Sequence, residues 1–83
     1  MKKIPKIKAV QALDNHLLII EFSNHENRQY DVRPLLKLQT FAPLQNDAFF
    51  KNVQIETGGH ALVWNEDIDI SEYELWSKGQ FLS

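Results

Sequence analysis

The most constraining feature of the sequence is a seven-residue apolar run, His16 to Phe22 (HLLIIEF), bracketed by turn residues. Its Leu, Ile and Phe content suits a strand buried on much of both faces. Asp14-Asn15 precede the run and Ser23-Asn24-His25-Glu26 follow it. Asn and Asp tolerate left-handed backbone and bond to it locally, so both segments read as turns. The flanking residues then read as partner strands. Residues 4–13 alternate, with Ile4, Lys6 and Lys8 against Pro5, Ile7 and Ala9, followed by Val10 and Leu13. Residues 27–32 alternate with Tyr30 and Val32 on one face. The pattern predicts a three-stranded antiparallel meander.

Beyond it the period changes. Pro34 suits a first helical turn, where its missing N–H is no loss, and Asp31 is placed to cap it. Leu35, Leu36 and Leu38 supply its apolar face. Pro43 opens a second helical piece with Leu44, Ala48 and Phe49 at helical spacing and Phe50 beside them, ending at Lys51 or Asn52. Val53 and Ile55 alternate with polar neighbours, Gly58-Gly59 form a hairpin turn, and residues 61–64 return. Ser71 and Glu74 have capping-box spacing, with Ile70 and Leu75 at the staple positions, so a last helix starts there and Gly79 stops it. The predicted fold class is α+β. It comprises the meander, a C-terminal hairpin and two or three short helices packed on the sheet, in one domain spanning residues 1–83.

Composition removes several classes. At 43% hydrophobic residues the chain is too apolar for disorder. It has no Cys, hence no disulfide framework and no thiolate chemistry. No apolar run reaches the ~18 residues of a membrane span, and residues 1–10 lack a signal peptide's apolar stretch, so a cytoplasmic domain is expected. Net charge is −2, unevenly placed. Lys2, Lys3, Lys6 and Lys8 make the start basic; Glu66, Asp67, Asp69, Glu72 and Glu74 make a late segment acidic. The lysines read as a solvated edge strand, where lysine blocks aggregation. A phosphate-binding arm is the alternative, and a third reading brings the two patches together within one fold. A sequence pI near 5.8 argues against a general nucleic-acid binder.

Chemistry-bearing groups are sparse. Asp67 and Asp69 would point the same way in an extended segment, as hard-cation ligands do. The twelve-residue calcium-loop pattern is absent, however. The expected state is a solvated loop in which Asp69 bonds backbone N–H groups near the last helix, with no metal site. His16, His25 and His60 all fall at or beside turns and are expected to be exposed. Ser23 beside His25 is formally nucleophile and base, but both sit in one tight turn. Gly58-Gly59 lack the Lys and helix of a phosphate loop. No cofactor site and no catalytic residue is expected. Phe22, Phe41, Phe49 and Trp64 are expected in the core.

Tyr73, Trp76 and Phe81 are the candidate partner-binding residues: three large aromatics near the C-terminal end, with Glu72, Glu74 and Lys78 as a charged rim. The competing reading is that all three pin the helix to the sheet.

One combination of residues runs the length of the chain. It comprises Leu18 to Phe22, Tyr30-Asp31, Leu35-Leu36, Phe41-Ala42-Pro43-Leu44, Phe49, Val53, Trp64, Asp69-Ile70 and Leu75. In this order the chain resembles the small bacterial family known as domain of unknown function 2442. It departs from that pattern in two turns: Asn24-His25 stands where the family usually carries Gly, and Asn65-Glu66-Asp67 where it usually reads Pro-x-Gly. The resemblance implies a compact α+β domain. It also implies a regulatory setting, since some relatives continue into a DNA-binding helix-turn-helix and others resemble halves of toxin–antitoxin pairs. The expected function is a non-enzymatic protein-interaction module with another protein as partner. The alternative is a nucleic-acid-associated regulator using the basic N-terminal strand.

Overall fold

The computed structural model describes residues 4–82; Lys2 and Lys3 of the basic run lie outside the described residues. The apolar run forms the centre of the first sheet. Strands β1 (Ile7–Ala12), β2 (Leu17–Phe22) and β3 (Asn27–Asp31) pair antiparallel as the meander. Leu18, Ile20 and Phe22 alternate along β2 and are fully buried, while Leu17, Ile19 and Glu21 face the other way and are half-buried. One face of the sheet therefore carries the core, as period-two alternation requires. Burying each such side chain contributes roughly 1.5–3 kcal/mol. β1 bulges at Lys8: Ile7 pairs with Phe22 but Ala9 with Glu21.

Both meander turns hold a histidine in left-handed backbone, His16 at φ 59° and His25 at φ 71°. His25 occupies the turn where the resembled family usually carries Gly. Asn24 supports it by accepting the Glu26 N–H at 3.1 Å. A side chain there costs roughly 1–2 kcal/mol relative to ordinary backbone.

The middle of the chain is helical but tight. Two 3₁₀ segments, Arg33–Lys37 and Gln39–Gln45, precede one short α-helix, α1 (Asp47–Phe50). Asp31 accepts the Arg33 N–H at 2.9 Å but is not the cap expected of it: the N-cap is Val32, which makes no side-chain cap bond. Pro43 lies inside the second 3₁₀ segment, and Asn46 restarts the helix by accepting the Phe49 N–H at 3.0 Å. The rotation this imposes corrects one expectation. Phe50, not Phe49, is the fully buried ring; Phe41, Phe49 and Trp64 are only half-buried.

A second sheet follows, in the order β4 (Gln54–Ile55), β5 (Ala61–Asn65), β6 (Ile68–Ser71). β6 overturns the expected acidic loop. Ile68 and Ile70 are buried on one side of it and Asp69 is exposed on the other, a period-two pattern hidden among charges. Asn65 makes the turn instead of Asp69, accepting the N–H groups of Asp67 and Ile68 at 2.8 and 2.9 Å.

The two sheets meet at Gly59. Its carbonyl accepts the Ile7 N–H at 3.0 Å, and a Cβ there would lie 2.6 Å from the Ile7 carbonyl, so only glycine permits this approach. One core cluster then joins both sheets, from Leu18 and Phe22 to Leu62, Ile70 and Leu75.

Helix α2 (Glu72–Lys78) crosses between the sheets, capped by Ser71, which accepts the Glu74 N–H at 3.1 Å. Ile70 and Leu75, at the staple positions, are both buried. Gly79 ends the helix for a reason other than left-handed backbone. Its φ is −70°, but a Cβ would lie 2.4 Å from the Leu75 carbonyl. The chain then adds β7 (Gln80–Phe81) to the edge of β3, so the first sheet has the order β1-β2-β3-β7. Among the described residues no helix is long and apolar enough to cross a membrane.

Candidate functional site

Three aromatic residues near the C-terminal end were the sequence's candidates, and α2 and β7 place them unequally. Tyr73 and Phe81 are 63% and 55% exposed, joined by Leu82 at 45%. Trp76 is half-buried. Its ring meets Phe22 edge-on at 5.1 Å between centroids, a favoured aromatic geometry that ties it to the core. Its outer side is covered by the Arg28 guanidinium, 3.8 Å from the ring centroid. The same guanidinium lies 5.8 Å from the Phe81 ring, because Arg28 and Phe81 are register partners on β3 and β7. Glu26 holds it at 3.2 Å. Trp76, Arg28 and Phe81 thus form one open-sided stack; among the described residues no ring contact joins Tyr73 to it.

On the other flank of α2 is a groove that sequence reasoning missed. One hollow of about 240 Å³ is lined by Tyr30, Leu35, Phe41, Asp69, Ser71 and Glu74. A second, about 390 Å³, continues from Tyr30, Leu35 and Glu74 towards Asp31 and Lys78. The Tyr30 hydroxyl donates to Glu74 Oε2 at 2.9 Å across the floor. Burial first, and then this bond to a carboxylate, push the Tyr30 phenol above its ordinary range. Capping-box spacing assigns the Glu74 carboxylate to the helix start, whereas it serves Tyr30. No local signal reveals that pairing, which spans 44 positions.

The remaining candidates separate. His16 corrects the expectation of exposed histidines. It is half-buried, its ring lies 4.8 Å from Phe50, and its Nε2 bonds the Leu44 carbonyl at 2.8 Å. Because a carbonyl only accepts, His16 carries its proton on Nε2. His25 is exposed beside Glu21. His60 belongs to a different group, in which Lys6 Nζ lies 2.8 Å from Glu72 Oε1 and 3.2 Å from His60 Nδ1. One lysine of the basic run therefore meets one carboxylate of the acidic segment, while Lys8 lies 3.8 Å from Glu21 on the edge strand β1. Ser23 accepts the Lys6 backbone N–H at 3.1 Å. Among the described residues no three His, Asp or Glu side chains converge as metal ligands would.

No curated protein and no solved structure matches the chain. A family model matches it over residues 7–81, from the first strand to the last, so the chain belongs to the family described as "Protein of unknown function (DUF2442)".

Proposed function

We propose that this chain is a non-catalytic, cytoplasmic bacterial protein-interaction module that uses its C-terminal aromatic end to hold a partner protein, as one half of a regulatory, toxin–antitoxin-like pair. The observation that carries the reading is the Trp76–Arg28 stack with exposed Phe81 beside it and exposed Leu82 next in the chain; Tyr73 is exposed on the same helix as Trp76. Large apolar side chains clustered on a small surface mark interaction sites more often than single ones do. Aromatics and arginine also dominate the cores of protein interfaces. Trp76 and Arg28 are held in place before any partner arrives, which lowers the ordering cost of association. No cofactor has a role in this reading.

The nucleic-acid alternative relies on the basic N-terminal strand. It is supported less well, since Lys6 and Lys8 each stand beside a carboxylate that offsets their charge. The test is purification of tagged wild-type chain and of a Tyr73→Ser/Phe81→Ser variant from the native cell. A stoichiometric protein partner retained by the wild type and lost by the variant is the expected result. Equal retention by both, or nuclease-sensitive nucleic acid as the only bound material, overturns the reading.

A further inference from the structure

The open edge of β6 carries an inference separate from the aromatic end. Its backbone direction follows from the register of the second sheet. Glu72 N–H bonds the His60 carbonyl at 2.9 Å, so residues 60 and 72 are a hydrogen-bonded pair. Antiparallel pairs alternate between bonded and non-bonded. Leu62 and Ile70 are therefore bonded, and Val63 and Asp69 are not. β4 confirms the alternation, since the Glu56 N–H bonds the Ala61 carbonyl at 2.9 Å and so turns residue 61 away from β6. The N–H and C=O of Asp69 consequently point outward, away from β5.

They point at open space. The 240 Å³ hollow beside them is lined by Asp69, Ile70 and Ser71 of this strand and by Tyr30, Leu35, Phe41 and Glu74. The four sheet edges differ in how they treat such exposure. β1 bulges and presents Lys8, both of which obstruct strand addition. β4 and β7 are two residues long. β6 is four residues long, and the bulge in its pairing falls on β5, where Trp64 is the extra residue.

We propose that this edge receives an extended segment of another protein by strand addition, and that the segment alternates apolar, basic, apolar. The residue opposite Asp69 exchanges two backbone bonds with it and shares its face of the sheet. That face presents Asp69, with Glu66 and Asp67 in the turn just before the strand; all three are exposed, and among the described residues no cation lies within ion-pair distance of them. A Lys or Arg fits there. The residues on either side of it point to the opposite face, the face of Ile68 and Ile70, and enter the hollow beside Leu35 and Phe41.

Three capped synthetic peptides test this by amide NMR titration of the full chain: Thr-Val-Lys-Val-Thr, the same peptide with Glu for Lys, and the Lys peptide N-methylated at its central residue. Saturable shifts centred on Asp69 and Ile70 are expected for the Lys peptide. The Glu peptide binds about ten-fold weaker, and Asp69→Asn weakens the Lys peptide about three-fold. The N-methyl peptide, which lacks a backbone donor, does not bind. Similar affinity for Lys and Glu peptides, retained binding of the N-methyl peptide, shifts centred elsewhere, or no shift at millimolar peptide overturns the proposal. So does a sedimenting dimer whose Asp69 amide is already protected, because a second copy then fills the edge. The Tyr73→Ser/Phe81→Ser variant binds the Lys peptide like wild type. Loss of peptide binding with native partner retained therefore sinks this site alone.

Discussion

Two aromatic clusters of similar size sit at opposite fates in this small domain. The inner one is His16, Phe50 and Trp64, with Phe50 and Trp64 stacked at 6.2 Å. Both ring N–H donors in it have a main-chain partner: Trp64 Nε1 donates to the Phe50 carbonyl at 2.8 Å, and His16 Nε2 to that of Leu44. The outer one is Trp76 and Phe81 with Arg28, resting on Phe22. Its polar element is a cation, its Phe81 ring faces solvent, and Arg28 Nε is buried without a partner among the described residues. Ring count alone does not separate stability from surface. What separates them is whether the polar atoms between the rings are closed by backbone or belong to a charged side chain.

The largest effect expected from this contrast is on the inner cluster. Phe50→Ala empties a fully buried site and should lower stability by about 3–5 kcal/mol, read from the urea midpoint. A loss below ~1 kcal/mol would contradict the placing of the inner rings in the core.

Trp76→Ala comes next, at about 2 kcal/mol, because only its inner edge, against Phe22, is packed and the cation–π contact adds little at a partly wetted site. Equal losses at Phe50 and Trp76 in the same assay would erase the distinction between the clusters.

Tyr30→Phe is smaller still, about 0.5–1.5 kcal/mol for one hydrogen bond to Glu74. It also carries a pH signature. Burial and then the Glu74 carboxylate raise the Tyr30 phenol above its ordinary value of 10.0, so the fold favours the neutral form. Stability from this group is whole below pH about 10 and is lost as pH rises beyond it. The variant should show a shallower alkaline decline than wild type; parallel declines would remove Tyr30 from the account.

Much of this was legible beforehand, for reasons that differ by region. The meander was readable because turn residues and alternation agree on both sides of Leu17–Phe22, and the last helix because Ser71, Glu74, Ile70 and Leu75 stand at fixed offsets. β6 was not read because its carboxylates mask a two-residue period carried by Ile68 and Ile70 alone. Helical spacing points to Phe49 rather than Phe50 because it implies a continuous α-helix, whereas 3₁₀ geometry up to Gln45 and a restart at Asn46 rotate the face. β7 has two residues and exists only through its pairing with β3. Of the candidate site, the surplus of aromatics at Tyr73, Trp76 and Phe81 is visible in the sequence, but which of them pack and which face solvent is not. The Arg28 stack and the Tyr30–Glu74 groove arise from residues 44 or more positions apart, which no local pattern encodes.

The smallest expected change in stability is the most direct test that the aromatic end is surface held for a partner. It is the urea midpoint of the Tyr73→Ser/Phe81→Ser variant measured beside wild type at one protein concentration. The two curves should agree within about 0.5 kcal/mol, as exposed substitutions do. A loss of about 2 kcal/mol or more would place these rings among the fold's own supports and contradict their assignment to an interface.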